Sequence, residues 1–139
     1  MLKPFVMDCS VVMAWCFEDE ADAYADSVLD SLSDSGAIVP SIWPLEIANV
    51  LLVAERRKRL TEADSLQFVR LLSELPIVVD QETSERAFSE ILFIGRQQTL
   101  SSYDAAYLEL AMREGAALAT RDKALIEAAH KCGVKLLFS

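Results

Sequence analysis

Apolar residues fall into two patterns along this chain. In the first they stand together in short runs: PFVM, AIV, IVV, AALA and VKLLF. In the second they recur every three or four positions through longer, mixed stretches. Short apolar runs bounded by turn residues read as buried strands, and the three-to-four spacing reads as helix. The pattern predicts strands at 4–7, 37–39, 77–79, 117–119 and 134–138. It predicts helices at 10–17, 20–33, 41–59, 61–75, 84–97, 103–114 and 122–131. Gly36, Gly115 and Gly133 each stand between a helical stretch and an apolar run, where a residue without Cβ can stop a helix in the left-handed conformation. Helix, glycine, strand, repeated, predicts an α/β fold with a parallel sheet of four to five strands. Thr61 with Asp64 resembles a helix-start pair, and Ser41 is a plausible cap with Pro44 in the first turn.

Length and composition narrow the class. The 139 residues suit one domain spanning 1–139, and 53% hydrophobic with 25% charged residues argues for a globular chain. No run approaches the roughly 18 apolar residues of a membrane span. The opening MLKPFVMDCS has too short an apolar core for a signal peptide, so a cytoplasmic protein is expected. Cys9, Cys16 and Cys132 lack metal-ligand spacing and read as small buried hydrophobes in a reducing compartment. A net charge of −9 argues against broad, unaided nucleic-acid binding and is compatible with a cation or a basic protein partner.

The acidic residues then acquire meaning from their positions. In open parallel sheets, ligands bind beyond the carboxyl ends of the strands. Asp8 directly follows the first strand, and Asp122 follows AALA in TRD. Glu46 sits in the first turns of the helix after AIVP. Asp104 opens the helix before AALAT. That helix is expected to start away from the strand ends unless the long approach RQQTLSS carries the chain back. Taken singly, Asp8, Asp104 and Asp122 also read as helix caps or first-turn charges. Glu46 is harder to explain that way, because its surroundings, WPLEIANVLLVA, are almost wholly apolar, and a buried charge is costly unless paired. Carboxylates gathered at one rim repel one another, and a divalent cation removes that conflict.

With these motifs in order, the chain resembles the PIN-domain proteins, and most closely the VapC-type toxin ribonucleases. The matching stretches are VMDCSVV, PLEIANVL, LSSYDAAYLELA and ALATRDKAL, running from residue 6 to 125. The resemblance implies a three-layer α/β/α sandwich. It implies one or two Mg²⁺ or Mn²⁺ ions held by Asp8, Glu46, Asp104 and Asp122, with Ser10 and Thr120 assisting and Asn49 orienting Glu46. It further implies endonucleolytic RNA cleavage leaving a 5′-phosphate and a 3′-hydroxyl, dimerisation, and silencing by a cognate antitoxin. Cys9 is expected to point away from Asp8 and Ser10.

For RNA contact, the dense basic run Arg56, Arg57, Lys58, Arg59 is a candidate, as is Arg121; the run also suits a helix C-terminus. Trp15, Phe17 and Trp43 read as packing residues more than base-stacking ones. His130 lies far in sequence from the acidic set, so His-based catalysis is not expected. Two alternatives stand beside the nuclease: a non-catalytic PIN-like module that binds RNA or protein, and a receiver-like domain with Asp80 as phosphoacceptor.

Overall fold

The computed structural model describes residues 3–138. The chain runs β1 (Phe5–Met7), α1 (Cys9–Cys16), a 3₁₀ turn (Glu18–Glu20), α2 (Ala23–Ser35), β2 (Ala37–Val39), α3 (Trp43–Arg56), α4 (Glu62–Ser73) and β3 (Ile77–Val79). It continues through α5 (Thr83–Arg86), a π-helical turn (Ala87–Ile91), α6 (Leu92–Gln98), α7 (Ser102–Glu114), β4 (Leu118–Ala119) and α8 (Lys123–Lys131). The four strands are parallel, in the order β3-β2-β1-β4. Val6 lies at the centre, paired with Ile38 on one side and Leu118 on the other.

That order dictates the layers. The chain moves from β1 outward to β2 and β3, then returns past β1 to place β4 on its far side. Right-handed crossovers in opposite directions put helices on opposite faces of the sheet. Both faces of the centre are therefore covered, and Phe5, Val6, Met7, Leu118 and Ala119 are all buried. The result is the expected α/β architecture, a three-layer sandwich. The strand order reverses between β1 and β4, and it is there that such sheets leave a crevice at their carboxyl edge.

Local chemistry sets most boundaries. Thr61 and Asp64 form a reciprocal capping box at the start of α4. Gly36 ends α2 at φ 73, ψ 179, a region open essentially to glycine alone. A Cβ there would stand 3.0 Å from the Pro76 carbonyl oxygen.

Elsewhere the elements depart from the predicted ones. Ser41 does not cap α3; its backbone N–H donates to Thr83 Oγ1 at 3.0 Å, and the helix begins at Trp43 with Pro44 in its first turn. The helix expected over 84–97 is interrupted by the π-helical turn and stops at Thr99, which adopts φ 55 without being a glycine. The expected strand over 134–138 is reduced to one bridge, Leu136 to Leu118. The Leu137 N–H still donates to the Leu118 carbonyl at 2.9 Å, and Phe138 then turns to φ 60, with Tyr24 of α2 donating its hydroxyl to the Leu137 carbonyl at 3.1 Å and meeting the Phe138 ring edge-on at 6.4 Å.

Asp80, at the end of β3, is not a free acceptor. Arg113 of α7 binds both of its oxygens, Nη1 to Oδ1 at 3.1 Å and Nη2 to Oδ2 at 2.9 Å, and its Nε donates to Glu109 at 2.9 Å. This bidentate lock holds α7 to the far edge of the sheet.

Two stability outcomes follow, each readable by chemical denaturation. Gly36→Ala is expected to lose about 2–3 kcal/mol, and Gly133→Ala, where a Cβ meets nothing within 4 Å, about 1 kcal/mol. Asp80→Ala, which removes one of the carboxylates on Arg113 while Glu109 still holds the guanidinium, is expected to cost about 1.5–3 kcal/mol.

Candidate functional site

The site is built where β1 and β4 end. Asp8 follows β1 and caps α1, its Oδ1 accepting the Ser10 N–H at 3.1 Å. Asp122 caps α8, its Oδ1 accepting the Leu125 N–H at 3.0 Å. Two hydroxyls link these helix starts. Ser10 Oγ donates to Asp8 Oδ1 at 2.6 Å and accepts the Arg121 N–H at 3.0 Å. Thr120 Oγ1 donates to Asp8 Oδ2 at 2.5 Å and accepts the Asp122 N–H at 3.0 Å. Each hydroxyl spends its single proton on Asp8 and receives a backbone proton from the β4–α8 junction.

Glu46 comes from the first turn of α3 and Asp104 from the first turn of α7. Ser101 caps α7, accepting the Asp104 N–H at 3.1 Å. The expectation that this helix would start away from the strand ends is overturned. A helix that feeds a parallel strand runs against it, so it begins at the carboxyl edge and ends where the strand starts. Asp104 accordingly feels Asp122 on one side, and Glu46 feels Asp104 on the other.

Burial and mutual repulsion leave their mark on the acids. Asp8, 5% exposed, has its pKa pushed up to about 6 by burial, against the Ser10 and Thr120 hydrogen bonds, with the Asp122 charge adding to the rise. Burial also raises Glu46, opposed by a Tyr107 hydrogen bond and assisted by Asp104. Asp104 is raised by burial and by Asp122. All four predicted acids therefore belong to one electrostatic neighbourhood.

Their donor chemistry fits a hard divalent cation: the four groups offer only carboxylate oxygens, and a cation would offset the repulsion between them. The side chains are not pre-gathered, however. Among the described residues, no three His, Cys, Asp or Glu groups converge as a ready ligand set. Their oxygens are instead engaged by Ser10, Thr120, Tyr107 and the α8 backbone. Mg²⁺ retains several waters and needs only one or two direct carboxylates, so a wide acidic rim suits it.

The PIN domain family model matches residues 5–131. The chain belongs to the PIN-domain family. Among solved structures it is similar to the crystal structure of PAE2754 from Pyrobaculum aerophilum, with a TM-score of 0.68 at 22% identity, over 92% of this chain and 87% of that one. At that identity the likeness speaks for the fold. No curated protein matches the sequence. PIN domains are generally nucleases, which supports a hydrolase. No helix among the described residues is long and apolar enough to cross a membrane.

Other expected features of this PIN domain need correction. Asn49 makes no hydrogen bond to Glu46 among the described residues. It is exposed and lines a groove with Phe17, Val53 and Arg57. The group holding Glu46 is Tyr107, whose buried hydroxyl donates to Glu46 Oε1. Sequence reasoning missed it because a tyrosine within AAYLELA reads as core; the signal was its position one turn after Asp104, on the same helix face. Burial first, then the Glu46 and Asp8 charges, push the Cys9 thiol pKa up to about 12.

The basic candidates divide. Arg59 is held by Asp19 at 3.0 Å and Glu20 at 3.4 Å, 4.0 Å above the Phe17 ring. Arg121 pairs with Asp22 at 2.9 Å. Arg56, Arg57 and Lys58 are exposed at the end of α3. Trp15 donates Nε1–H to the Ala25 carbonyl at 2.8 Å, and Trp43 is buried, so both pack. The three cysteines are free and only partly buried.

The Asp8 shift fixes a pH dependence. Below pH 3.8, its ordinary pKa, both folded and unfolded chains hold the proton; as pH rises through about 6, the folded state loses stability relative to the unfolded one. Metal-free wild type is therefore expected to lose stability relative to Asp8→Asn across that window, by a few kcal/mol at most. Denaturant titrations at pH 4 and pH 7 check it. Added Mg²⁺ is expected to stabilise wild type at pH 7 and leave Asp8→Asn unchanged.

Proposed function

We propose that this PIN domain is a Mg²⁺- or Mn²⁺-dependent endoribonuclease and the toxin component of a toxin–antitoxin pair. What supports the reading is that Asp8, Glu46, Asp104 and Asp122 each start or precede a helix of this parallel sheet and that Asp8 and Asp104 feel Asp122, and Glu46 feels Asp104. Asp8, Glu46, Asp104 and Asp122 would hold one or two cations, directly or through water. A bound cation supplies Lewis acidity toward a phosphoryl oxygen and a water acidic enough to yield hydroxide at neutral pH.

The protein's own groups do the positioning. Ser10 and Thr120 fix the plane of the Asp8 carboxylate and favour its charged form against the burial that raises its pKa. Tyr107 holds Glu46. The uncommitted Arg56, Arg57 and Lys58 are the better candidates for phosphate contact, since Arg59 and Arg121 are already paired. Chain charge elsewhere is repulsive to RNA, so binding depends on the loaded cations and this basic end of α3.

An apolar groove of about 610 Å³ between α3, α4 and β3, lined by Trp43, Ile47, Leu51, Val69 and Leu72, offers a protein partner a surface. It supports the expectation of an antitoxin or a second copy of the chain, and the net charge of −9 favours a basic partner.

The unconverged ligand set is the observation that favours the second reading, a non-catalytic module binding RNA or protein. Purified protein incubated with single-stranded RNA separates the two. Cleavage with Mg²⁺ to 5′-phosphate and 3′-hydroxyl ends is expected, abolished by EDTA. Asp8→Asn and Asp104→Asn are each expected to reduce it by about 100-fold or more, the scale of losing one preorganised electrostatic group. A well-folded Asp8→Asn protein that cuts RNA at the wild-type rate overturns the mechanism. Expression of wild type should arrest growth unless a neighbouring antitoxin is supplied.

A further inference from the structure

Tyr107 is 1% exposed, in the middle of α7, among Ala106, Leu108 and Leu110. A phenylalanine would fill the same apolar space, and a hydroxyl buried without a partner costs about 1–3 kcal/mol. The hydroxyl has one: it donates to Glu46 Oε1 on another helix, 61 positions away in sequence. Glu46 is half-buried and ionised carboxylates can only accept, so the bond satisfies a demand from each side. Asp104 and Tyr107 lie one turn apart on α7, so this single helix face delivers both a carboxylate and the group that steadies another.

We propose that Tyr107 is a positioning residue for the cation site: its hydroxyl anchors Glu46 through Oε1 and so limits the rotamers from which that carboxylate can take up a cation. The inference rests on the metal-site reading above and goes beyond it, adding a residue that touches neither cation nor RNA. A glutamate side chain has three rotatable bonds before its carboxylate, and α3 alone does nothing to fix them. One hydrogen bond from a rigid, packed phenol removes most of that freedom before the cation arrives. Partners that orient metal ligands in this way typically change affinity by about 10- to 100-fold when removed.

The test is Mn²⁺ binding measured by calorimetry on wild type, Tyr107→Phe, Glu46→Ala and the double variant, with melting temperatures recorded without metal. Tyr107→Phe is expected to fold and to bind Mn²⁺ about tenfold more weakly. In the Glu46→Ala background the same change is expected to have no effect on affinity, because the residue acts through Glu46. Equal Mn²⁺ affinity in wild type and Tyr107→Phe, whatever happens to the melting temperature, makes the hydroxyl merely structural and overturns the proposal. An equal tenfold loss in the Glu46→Ala background also overturns it.

A second measurement needs no variant. In Mg²⁺-loaded wild type the Tyr107 hydroxyl proton is expected to remain protected from solvent exchange by NMR. Exposure on loading would mean that the cation displaces the phenol, against the proposal. Wild type that binds no Mn²⁺ saturably defeats the metal-site reading itself, and this proposal with it.

Discussion

The carboxylate of Asp8 is the point on which the two halves of the fold close. It is buried at the end of the central strand, and each of its oxygens takes a hydroxyl proton: Ser10 from its own helix, Thr120 from the far side of the sheet. Those same hydroxyls accept backbone protons from Arg121 and Asp122. A buried acid would normally shed its charge. Here two charge-assisted bonds oppose burial without cancelling it, and the group is left with a pKa near 6. The arrangement is stiff in geometry and unsettled in charge, which is the condition in which a cation gains most by binding.

The other acids extend that condition. Glu46 and Asp104 come from the first turns of α3 and α7, and each is made harder to ionise by burial first and by a neighbouring carboxylate second. None of the four is a leftover surface charge, since each is tied to a helix start by its place in the first turn or at the cap. The topology brings them together: reversal of strand order between β1 and β4 opens the crevice, and every helix that begins at the carboxyl edge points its positive end there. The order β3-β2-β1-β4 thus sets both the layers and the edge at which these helices begin.

Much of this was legible in the sequence because it rests on local chemistry. Gly36, Gly115 and Gly133 stop helices at positive φ as read, and the apolar runs AIV and IVV occupy their predicted positions in the sheet. Asp8 and Asp122 were visible as acids just past strands. What escaped was decided by distant partners. Asn49 looked like the natural companion of Glu46 by helical spacing, yet Tyr107 holds that role from another helix. Arg59, read within the basic run, is held by Asp19, a partner 40 positions away that spacing alone does not reveal. VKLLF has the composition of a strand, but only one bridge to Leu118 forms before Phe138 turns to φ 60. Asp104 was misjudged for a different reason, a sense of direction: a helix running into a parallel strand must begin at the strand's carboxyl edge.

The central claim is that the four carboxylates serve one cation-binding rim. A crystal of the protein soaked in Mn²⁺ and measured at the manganese absorption edge tests it most directly. The account predicts an anomalous peak bounded by Asp8, Glu46, Asp104 and Asp122. A peak elsewhere, or none at saturating Mn²⁺, would contradict it.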